Sequence, residues 1–541
     1  MTPLSIDLKS TQALYNPAAY VTAQCYTKTV DEHNVSHNPC FACHINSMAP
    51  NYIDDPDLQT VYDMREFTKK NKFANLFKDR SDYIESLSDE SILAYVQADN
   101  YKNSNGNIAL REKLKKLPDA WDVNGDGAWN GYLPDCQFNF DAQGFDRDAN
   151  ESYTGWRAFA YAPFLGTFWP TNGSFDDVLI RLPNSMQQDS NGTFSLEVYT
   201  INLAIVEALI KREDIAIDEV DERKYGVDLN RDGILNTSSF IKYEWIKPSY
   251  STQTRKITNF SMSYVGEAKA LLEDNALLIA PGLYPEGTEF LHSVRYLNVE
   301  NGKVSMAARL KELRYAKKES WNSYAQMQNA AMAEIMEKDL FPDRLREIDG
   351  DSEKGLKTGL GWRYQGFIED ANGALRPQSY EETLFCIGCH SGVGAIEDST
   401  FAFGRKLDTS TQQMGWYHWS QSAEGFKGMK EPLDKSGEYE YSRYLRVNRA
   451  GDEFRANEEV KEKFFTNGVL ENSKLDALHD DISLLMIPSK ERALLLNKAY
   501  KVIVEEQSYI YGREAHTKPL DQSVHREIVP QTPTQNEMLL N

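Results

Sequence analysis

The 541-residue sequence has only six cysteines and nine histidines, and it contains no long apolar run. Its longest apolar stretches, such as LAIVEALI at 203–210, are far shorter than the roughly 20 residues that a membrane-spanning helix needs. The opening MTPLSIDLKSTQ lacks the basic segment, apolar stretch and small-residue cleavage site of a secretory signal. The sequence therefore predicts no membrane span, and either an export signal has been removed from this chain or the protein stays in the cytoplasm.

Basic residues are also scarce, with 59 lysines and arginines against 81 acidic residues and a formal net charge of −22. Such a surface repels a phosphate backbone, and no long basic run interrupts it. Nucleic acid is thereby excluded as an expected partner. With 41% hydrophobic residues, the chain is long enough to bury a large core and to form two to four domains.

Several signatures of enzyme chemistry are missing. The sequence has no phosphate-cradling glycine loop, no dinucleotide fingerprint and no HExxH zinc motif. It also lacks the GxSxG turn that carries the nucleophile of many hydrolases. No catalytic residue is predicted, and whether the protein is an enzyme stays open at this level.

Four of the six cysteines lie in two short repeats, NPCFACHINS at 38–47 and LFCIGCHSGV at 384–393. Two thiols three residues apart can each form a thioether with haem, and the following imidazole can then ligate the iron. A zinc site and a thioredoxin-like cysteine pair are the alternatives. Neither alternative explains why a histidine follows the cysteines in both repeats.

The two repeats resemble the haem-attachment signature of c-type cytochromes. The resemblance implies two covalently bound haem c groups, one on Cys40 and Cys43 with His44 on its iron. The second would be held by Cys386 and Cys389, with His390 as the proximal ligand. It also implies export, and hence a periplasmic, secreted or cell-surface protein.

Two functions follow as hypotheses from that resemblance. The first is a dihaem cytochrome that passes electrons through both haems to a redox partner protein. The alternative is a dihaem oxidoreductase with one open iron that activates peroxide or oxygen, loosely similar to bacterial dihaem peroxidases and rubber oxygenases in haem number alone. A structural or sensing role for the haem is a third class.

The ligand on the other side of each iron decides between an open and a closed site. His37, His292 and His418 are the candidates: His37 precedes the first repeat, His292 lies in a predicted strand, and His418 lies in the aromatic segment GWYHWS. For each of them the alternative is an ordinary hydrogen-bonded histidine. For the remaining cysteines, Cys25 and Cys136, a disulfide is the default expectation in an oxidising compartment. The alternative is that Cys25, fifteen residues before the first repeat, ligates an iron as a thiolate.

A second repeated pattern, Asp-x-Asn-x-Asp-Gly-x-x-Asn, occurs in DVNGDGAWN and DLNRDGILN. Oxygen ligands at these spacings converge on one calcium ion, and the pattern resembles the calcium loops of EF-hand and dockerin proteins. The twelfth position, normally a glutamate, is occupied by Leu133 and Ser239, so a further carboxylate must come from Asp135, Glu244 or elsewhere. The alternative is an Asx-rich turn without an ion. The predicted ligands of up to two calcium ions are Asp122, Asn124, Asp126, Asn130, Asp228, Asn230, Asp232 and Asn236.

Hydrophobic periodicity predicts an α+β protein in three parts. Residues 1–115 are expected to form a helical region with the first haem, and 116–302 a β-rich middle with the calcium-type loops. Residues 303–541 are expected to be helical and to carry the second haem, beginning with a long helix from Lys303 to near Pro342.

Overall fold

The structure is a computed structural model of the chain. It describes residues 6–9, 21–37, 39–43, 49–52, 66–166, 169–341, 344, 347–390, 397–422, 425–434, 436–449 and 457–528.

Helices occur towards both ends of the described chain and at three separate places in its middle. In chain order they are α1 (Glu66–Lys69), α2 (Ser81–Ser86), α3 (Asp89–Gln97), α4 (Ala109–Leu114), α5 (Leu196–Lys211), α6 (Glu267–Glu273), α7 (Tyr324–Leu340), α8 (Tyr380–His390), α9 (Ala402–Arg405), α10 (Glu440–Asn448), α11 (Glu458–Phe464), α12 (Asn472–Asp480), α13 (Ser483–Met486) and α14 (Lys490–Glu506). The helices predicted in SLEVYTINLAIVEALIKRE and SKERALLLNKAYKVIVEEQ are confirmed as α5 and α14. Ser195 and Ser489 cap their amino ends through the side-chain oxygen.

The strands form one large antiparallel sheet and several small hairpins. In chain order they are β1 (Thr29–Val30), β2 (Ser36–His37), β3 (Phe145–Arg147), β4 (Tyr153–Phe159), β5 (Phe175–Asp176), β6 (Val178–Arg181), β7 (Ile215–Asp221), β8 (Thr237–Ile241), β9 (Ser249–Ser251), β10 (Lys256–Thr258), β11 (Glu289–Glu300), β12 (Lys303–Lys318), β13 (Gly350–Asp351), β14 (Gly355–Lys357), β15 (Trp362–Glu369), β16 (Leu375–Pro377), β17 (Phe465–Thr466) and β18 (Val469–Leu470). The large sheet runs in the order β13-β14-β15-β12-β11-β6-β4-β3, with β16 added beside β15 and β5 beside β11.

The centre of the sheet is the long hairpin of β11 and β12, which turns at Asn301 and Gly302. Both turn residues have positive φ, 50° and 77°, as a two-residue hairpin turn requires. The helix predicted from Lys303 onward is therefore wrong for the first half of its length, and only α7 is helical. The Asn-Gly turn signal and pairing on both sides, with β11 and β15, override the helical spacing of the apolar residues.

Side chains alternate between the two faces of this sheet, as the pleat dictates. On one face Leu179, Leu291 and Leu313 pack with Trp129 and Trp156. On the other face the neighbouring positions, including Ile180 and Phe290, join the main core with α5 and α14. This second face carries the candidate site.

The expected mixed fold class is confirmed in its coarse form, with a large antiparallel sheet in the middle of the chain and helices towards both ends. The sheet takes strands from both 116–302 and 303–541, because β12 and β15 pair in register with the rest. Among the described residues, no helix is both long and apolar enough to cross a bilayer.

Candidate functional site

A cavity lies between the main-core face of the sheet and helix α8. Its volume is about 250 Å³, and it is open to solvent. The sheet contributes alternate residues of β11 and β12, namely Phe290, His292, Val294, Glu312, Arg314 and Ala316. The opposite wall carries Cys386, Cys389 and His390. A mostly apolar cavity with a few convergent polar groups is the usual form of a ligand site.

Helix α8 presents the second Cys-x-x-Cys-His repeat to this cavity because its amino end is fixed. Ser379 Oγ accepts the Glu382 backbone N–H at 3.2 Å, and the Glu382 carboxylate accepts the Ser379 N–H at 2.8 Å. This reciprocal pair is a capping box. The same carboxylate forms two hydrogen bonds with the Arg376 guanidinium, at 2.8 and 2.9 Å, and both side chains are only 3% exposed. These contacts fix the amino end of α8, and the position of the helix determines the position of His390 at its other end.

The His390 ring is oriented by a backbone carbonyl. Its Nδ1 lies 2.7 Å from the carbonyl oxygen of Ser399 and the ring stacks on Tyr364, with centroids 4.7 Å apart. Donation from Nδ1 fixes the tautomer in which Nε2 carries the lone pair, as in most metal-ligating histidines. Burial lowers the pKa of His390 to about 4, so the imidazole is neutral.

The carbonyl that orients His390 belongs to a fixed, strained turn. Asp398 and Ser399 both have left-handed φ values, 48° and 65°, which cost a residue other than glycine on the order of 1–3 kcal/mol each. The turn is secured because the Asp398 carboxylate pairs with the Lys318 ammonium, and both side chains are fully buried. Asp398 also accepts the Tyr284 N–H at 2.9 Å. Backbone strain that several surrounding contacts hold in place is typical of functional sites.

On the sheet wall, His292 has the same kind of support as His390. Its Nδ1 lies 2.5 Å from the carbonyl oxygen of Asp177, and its Nε2 lies 3.8 Å from Asp176 Oδ2. Burial, with Arg314 next, lowers the pKa of His292 to about 4. His292 and Arg314 are directly paired positions on β11 and β12, so both side chains lie on the cavity face.

The two cavity thiols are protonated at neutral pH. Burial raises the pKa of Cys386, and burial together with the nearby Cys25 thiol raises the pKa of Cys389 to about 12. Cys25 and Phe385 of α8 both pack against the same small core.

The first repeat has a different setting. Its cysteines flank a short 3₁₀ turn, Cys40–Ala42, whose Phe41 is buried and packs towards Tyr444, with ring centroids 6.1 Å apart. His44 lies outside the described residues. His37, upstream on β2, places Nε2 3.0 Å from Asp31 Oδ2 and does not line the cavity of the second repeat.

His418 also lies away from the cavity lining. Its Nε2 is 2.8 Å from Asp177 Oδ2 and its Nδ1 is 2.6 Å from Ser420 Oγ, so both ring nitrogens have protein partners. Of the three histidines proposed as distal ligands, only His292 faces the second repeat.

The disulfide expected between Cys25 and Cys136 is not formed. Both thiols are free, since Cys136 is buried among the aromatic residues under the opposite face of the sheet. Cys25 instead packs, partly buried, against the small core that contains Phe73.

The two calcium-type loops fold alike. In the first, Asp122 accepts the Gly125 and Gly127 N–H groups, and Asn130 Nδ2 donates to Asp126 at 2.8 Å. In the second, Asp228 accepts the Gly233 N–H at 2.9 Å, and Asn236 Nδ2 donates to Asp232 at 2.8 Å. The two loops therefore share the same internal hydrogen bonds, which an Asx-rich turn also has.

A glutamate from outside each loop braces it, and the sequence pattern gave no sign of either. Glu353 accepts the N–H groups of Val123 and Asn130, at 3.2 and 2.8 Å. Glu222 accepts those of Leu229 and Asn236, at 2.7 and 3.0 Å, which are the same two loop positions. The carboxylates considered from sequence lie elsewhere: Asp135 pairs with Arg181, and Glu244 lies 3.9 Å from Arg231.

Other site residues were also missed by sequence reasoning. The site also contains Arg314, Arg513 and Ser399. They are separated from the second repeat along the sequence, and only the folding of the chain brings them to it. One local signal was available: Ser-x-x-Glu at 379–382 marks the start of the helix that carries the second repeat.

Comparison with known proteins identifies the family of this chain from matches along most of its length. Residues 9–482 match the model of a lipoprotein family. The chain belongs to this lipoprotein family. An uncharacterized lipoprotein of Aquifex aeolicus (strain VF5) is 31% identical over 545 residues, which cover 93% of this chain and 86% of the relative. No solved structure matches.

Membership of this family corrects the resemblance to dihaem c-type cytochromes. The family and the relative are lipoproteins and neither is a cytochrome, so assignment to electron transport, or to a peroxidase or oxygenase, is wrong. The five-residue signature misled because it covers only a small part of a chain that matches elsewhere along its length. Within the described residues, no group of three or more histidine, cysteine, aspartate or glutamate side chains is arranged to hold a metal ion.

The family also bears on location. As a lipoprotein, the protein is membrane-anchored or extracytoplasmic and surface-associated.

Proposed function

We propose that this lipoprotein is a ligand-binding protein whose cavity holds one haem, attached to Cys386 and Cys389 and ligated by His390. The observation that carries the proposal is that one cavity brings together two thiols and an imidazole on α8, and faces them with His292 and Arg314 of the sheet. The proposal concerns binding and does not restore the electron-transfer or peroxidase assignments.

The residues present fit that group. The thiols are three residues apart on a helix that ends at the histidine, as thioether attachment and proximal ligation require. His390 has its Nδ1 committed to the Ser399 carbonyl, which is the usual support of a ligating imidazole. The rest of the lining is largely apolar and aromatic, including Phe164, Phe290 and Phe401, as a flat tetrapyrrole requires.

His292 is the residue of the sheet wall that we assign to the far side of the bound group. Its ring is held by the Asp177 carbonyl in the same way as the His390 ring is held by Ser399. The bound haem supplies an iron with affinity for imidazole, and the protein supplies orientation, burial and a neutral ring.

A second haem on Cys40, Cys43 and His44 stays a prediction, as do His37 and His418 as ligands. We place the haem-holding protein in the periplasm or at the cell surface, where covalent haem attachment to such repeats takes place.

The proposal is tested by producing the full chain in a host that attaches haem to Cys-x-x-Cys-His repeats. We expect haem to remain with the denatured polypeptide in a gel stained for haem. In the C386S/C389S variant, the haem content measured as the pyridine haemochrome should fall by one per chain. The C40S/C43S variant is the matched control and should keep the haem of the second repeat.

Folding of both variants is checked by circular dichroism. A C386S/C389S protein that is folded and keeps the same haem content as the unaltered chain would overturn the proposal. So would a fully matured chain without covalent haem.

We also propose that the two acidic loops bind calcium as structural ions. The support is chemical: each loop offers aspartate and asparagine oxygens at the spacing that calcium uses, and Asp228 Oδ1 is a buried oxygen without a hydrogen-bond partner. Because an ion that binds only the folded state stabilises it, calcium should raise the thermal midpoint and a chelator should lower it. A D228N/D232N variant should lose part of that shift, and an unchanged midpoint with and without calcium would contradict this proposal.

A further inference from the structure

Helix α7 is packed against the protein along its first half and exposed along its second. Ser323 caps its amino end through the side-chain oxygen. Met327 packs with Leu283 and Leu360, and Ala331, one turn further on, is also buried. Beyond Ala331, none of the described side chains of α7 is buried. The second half of the helix therefore extends past the core that holds its first half.

The second half of α7 carries large apolar side chains that are exposed to solvent. Met332, Met336 and Leu340, together with Phe341 just after the helix, are between 51% and 66% exposed. A spacing of four residues places the three helical members on one face, on the side turned away from Ala331. Single exposed apolar residues are ordinary, whereas a contiguous apolar patch often marks an interaction surface. We call these four residues the apolar stripe.

The apolar stripe is too small to hold two copies of the chain together. Four side chains that are about half exposed offer on the order of 300 Å², whereas a stable interface buries about 800 Å² on each partner, from roughly 20–30 residues. A membrane makes no such demand on area, because a few apolar side chains add to an attachment that already exists. As a member of a lipoprotein family, the protein is membrane-anchored or extracytoplasmic and surface-associated. A phospholipid bilayer is therefore the occupant that fits the stripe best.

Charge favours the same occupant and restricts its composition. Arg344 lies at the end of the stripe, with its guanidinium carbon 6.0 Å from the centroid of the Phe341 ring and its Nε 3.6 Å from the Glu337 carboxylate. Its side chain is 63% exposed. A long cationic side chain beside apolar ones suits the boundary between acyl chains and phosphate groups. The formal net charge of −22 opposes a strongly anionic surface, so lipids with zwitterionic head groups are favoured.

We propose that the apolar stripe of α7 inserts into the interfacial layer of a phospholipid bilayer. Its four side chains enter the boundary between head groups and acyl chains to a depth of about 5–10 Å, and Arg344 stays at the level of the phosphates. The contact adds to the attachment of the lipoprotein and fixes which side of the protein faces the membrane. It is separate from the cavity of the second repeat, whose described lining takes no residue from α7.

The test is co-sedimentation of the full chain, produced without lipid modification, with vesicles of phosphatidylethanolamine and phosphatidylcholine. We expect about half of the chain to sediment at roughly 1 mM accessible lipid, since an apolar surface of this size gives weak, reversible binding. Met336→Glu/Leu340→Glu should lower the partition coefficient about ten-fold or more, because a carboxylate is costly to remove from water.

A matched control carries the same kind of substitution elsewhere on the protein. Leu433 and Val469 are also apolar and more than half exposed, but they lie outside α7, in the loop before α10 and in β18. Leu433→Glu/Val469→Glu adds the same charge and should bind vesicles as the unaltered chain does. Met336→Leu/Leu340→Met keeps the stripe apolar and should keep the binding. Circular dichroism establishes that each variant is folded.

The results separate a bilayer from the other occupants of the stripe. Binding that is lost in folded Met336→Glu/Leu340→Glu and kept in the other two variants supports the proposal. An unaltered chain that stays in the supernatant at about 10 mM lipid overturns it, and so does an equal loss in the two glutamate variants. A chain that is oligomeric without lipid, and that Met336→Glu/Leu340→Glu converts to a monomer in sedimentation velocity, also overturns it, because the stripe would then join copies of the chain.

Discussion

The two Cys-x-x-Cys-His repeats share a signature and differ in what surrounds it. The first lies on a single 3₁₀ turn, Cys40–Ala42, beside the two-stranded hairpin of β1 and β2. The second ends the eleven-residue helix α8, and its thiols and imidazole line a cavity. The described part of the second repeat thus lies where a helix, a strained turn and a sheet face meet.

The histidines near the two repeats show the same contrast. His37 pairs with the Asp31 carboxylate on a small hairpin. His390 is fixed by a backbone carbonyl, which belongs to a turn secured by the buried Lys318–Asp398 pair. A carboxylate partner can change its charge with pH, whereas a backbone carbonyl cannot. The group that is bonded to the His390 ring therefore does not titrate.

The largest effect is expected from the pair that anchors α8. Replacing Glu382 with glutamine leaves the Arg376 guanidinium buried without its charged partner. We expect a loss of about 3–5 kcal/mol in the free energy of unfolding, measured by urea denaturation.

The control for that change is Glu66→Gln in α1. Glu66 is 78% exposed and pairs with Lys69 on the surface, so its replacement should cost less than about 1 kcal/mol. Equal losses in the two variants would show that α8 is not held by the Arg376–Glu382 pair.

An effect of intermediate size is expected when His390 is replaced, with His37 as the control. In protein loaded with haem at the second repeat, His390→Gly should shift the Soret band, and added imidazole should restore it. His37→Ala should leave that band unchanged, since His37 does not line the cavity. The absorption spectrum measures both, and a shift in His37→Ala equal to that in His390→Gly would remove the distinction between the two sites.

The smallest expected effect is on the pH dependence of stability, and it comes from Asp31, upstream of the first repeat. Hydrogen bonds from the His37 side chain, and then from the Val35 N–H, lower the pKa of Asp31 from 3.8 to about 2. Because the folded-state pKa is lowered, this carboxylate stabilises the fold above pH 4 or so, and the contribution is lost as the pH falls towards 2.

The measurement for Asp31 is a comparison of the unaltered chain with Asp31→Asn. At neutral pH the thermal midpoint of the unaltered chain should be slightly higher than that of Asp31→Asn. This difference should shrink as the pH is lowered to about 3. Asp119→Asn, at an exposed carboxylate, provides the reference. A difference that grows at low pH would contradict the assigned sign.

Local patterns predicted much of the secondary structure. The periodicity of α5 and α14 and the alternation in β11 were readable, because each depends on residues close in sequence. The prediction failed at β12, where the segment MAARLKEL has helical spacing and good helix formers. Its neighbours β11 and β15 decide that it is a strand, and they are contacts that no local window contains.

The candidate site divides in the same way. Cys386, Cys389 and His390 could be named from the repeat, and the calcium-type loops from their spacing. Arg513, Ser399 and the bracing Glu353 could not, because their roles depend on distances across the fold. The motif also could not identify the family, because the family is recognised by similarity along most of the chain.

By itself the sequence determined the covalent possibilities of this lipoprotein: two thiols and an imidazole in fixed order, two acidic loops, and an acidic surface. Only the tertiary structure decided that the second repeat faces a cavity with His292 and an arginine pair. The physical reason is that a side chain's orientation, burial and electrostatic surroundings come from neighbours brought together by the sheet. The same Cys-x-x-Cys-His spacing therefore begins on a 3₁₀ turn in one place and forms the wall of a cavity in the other.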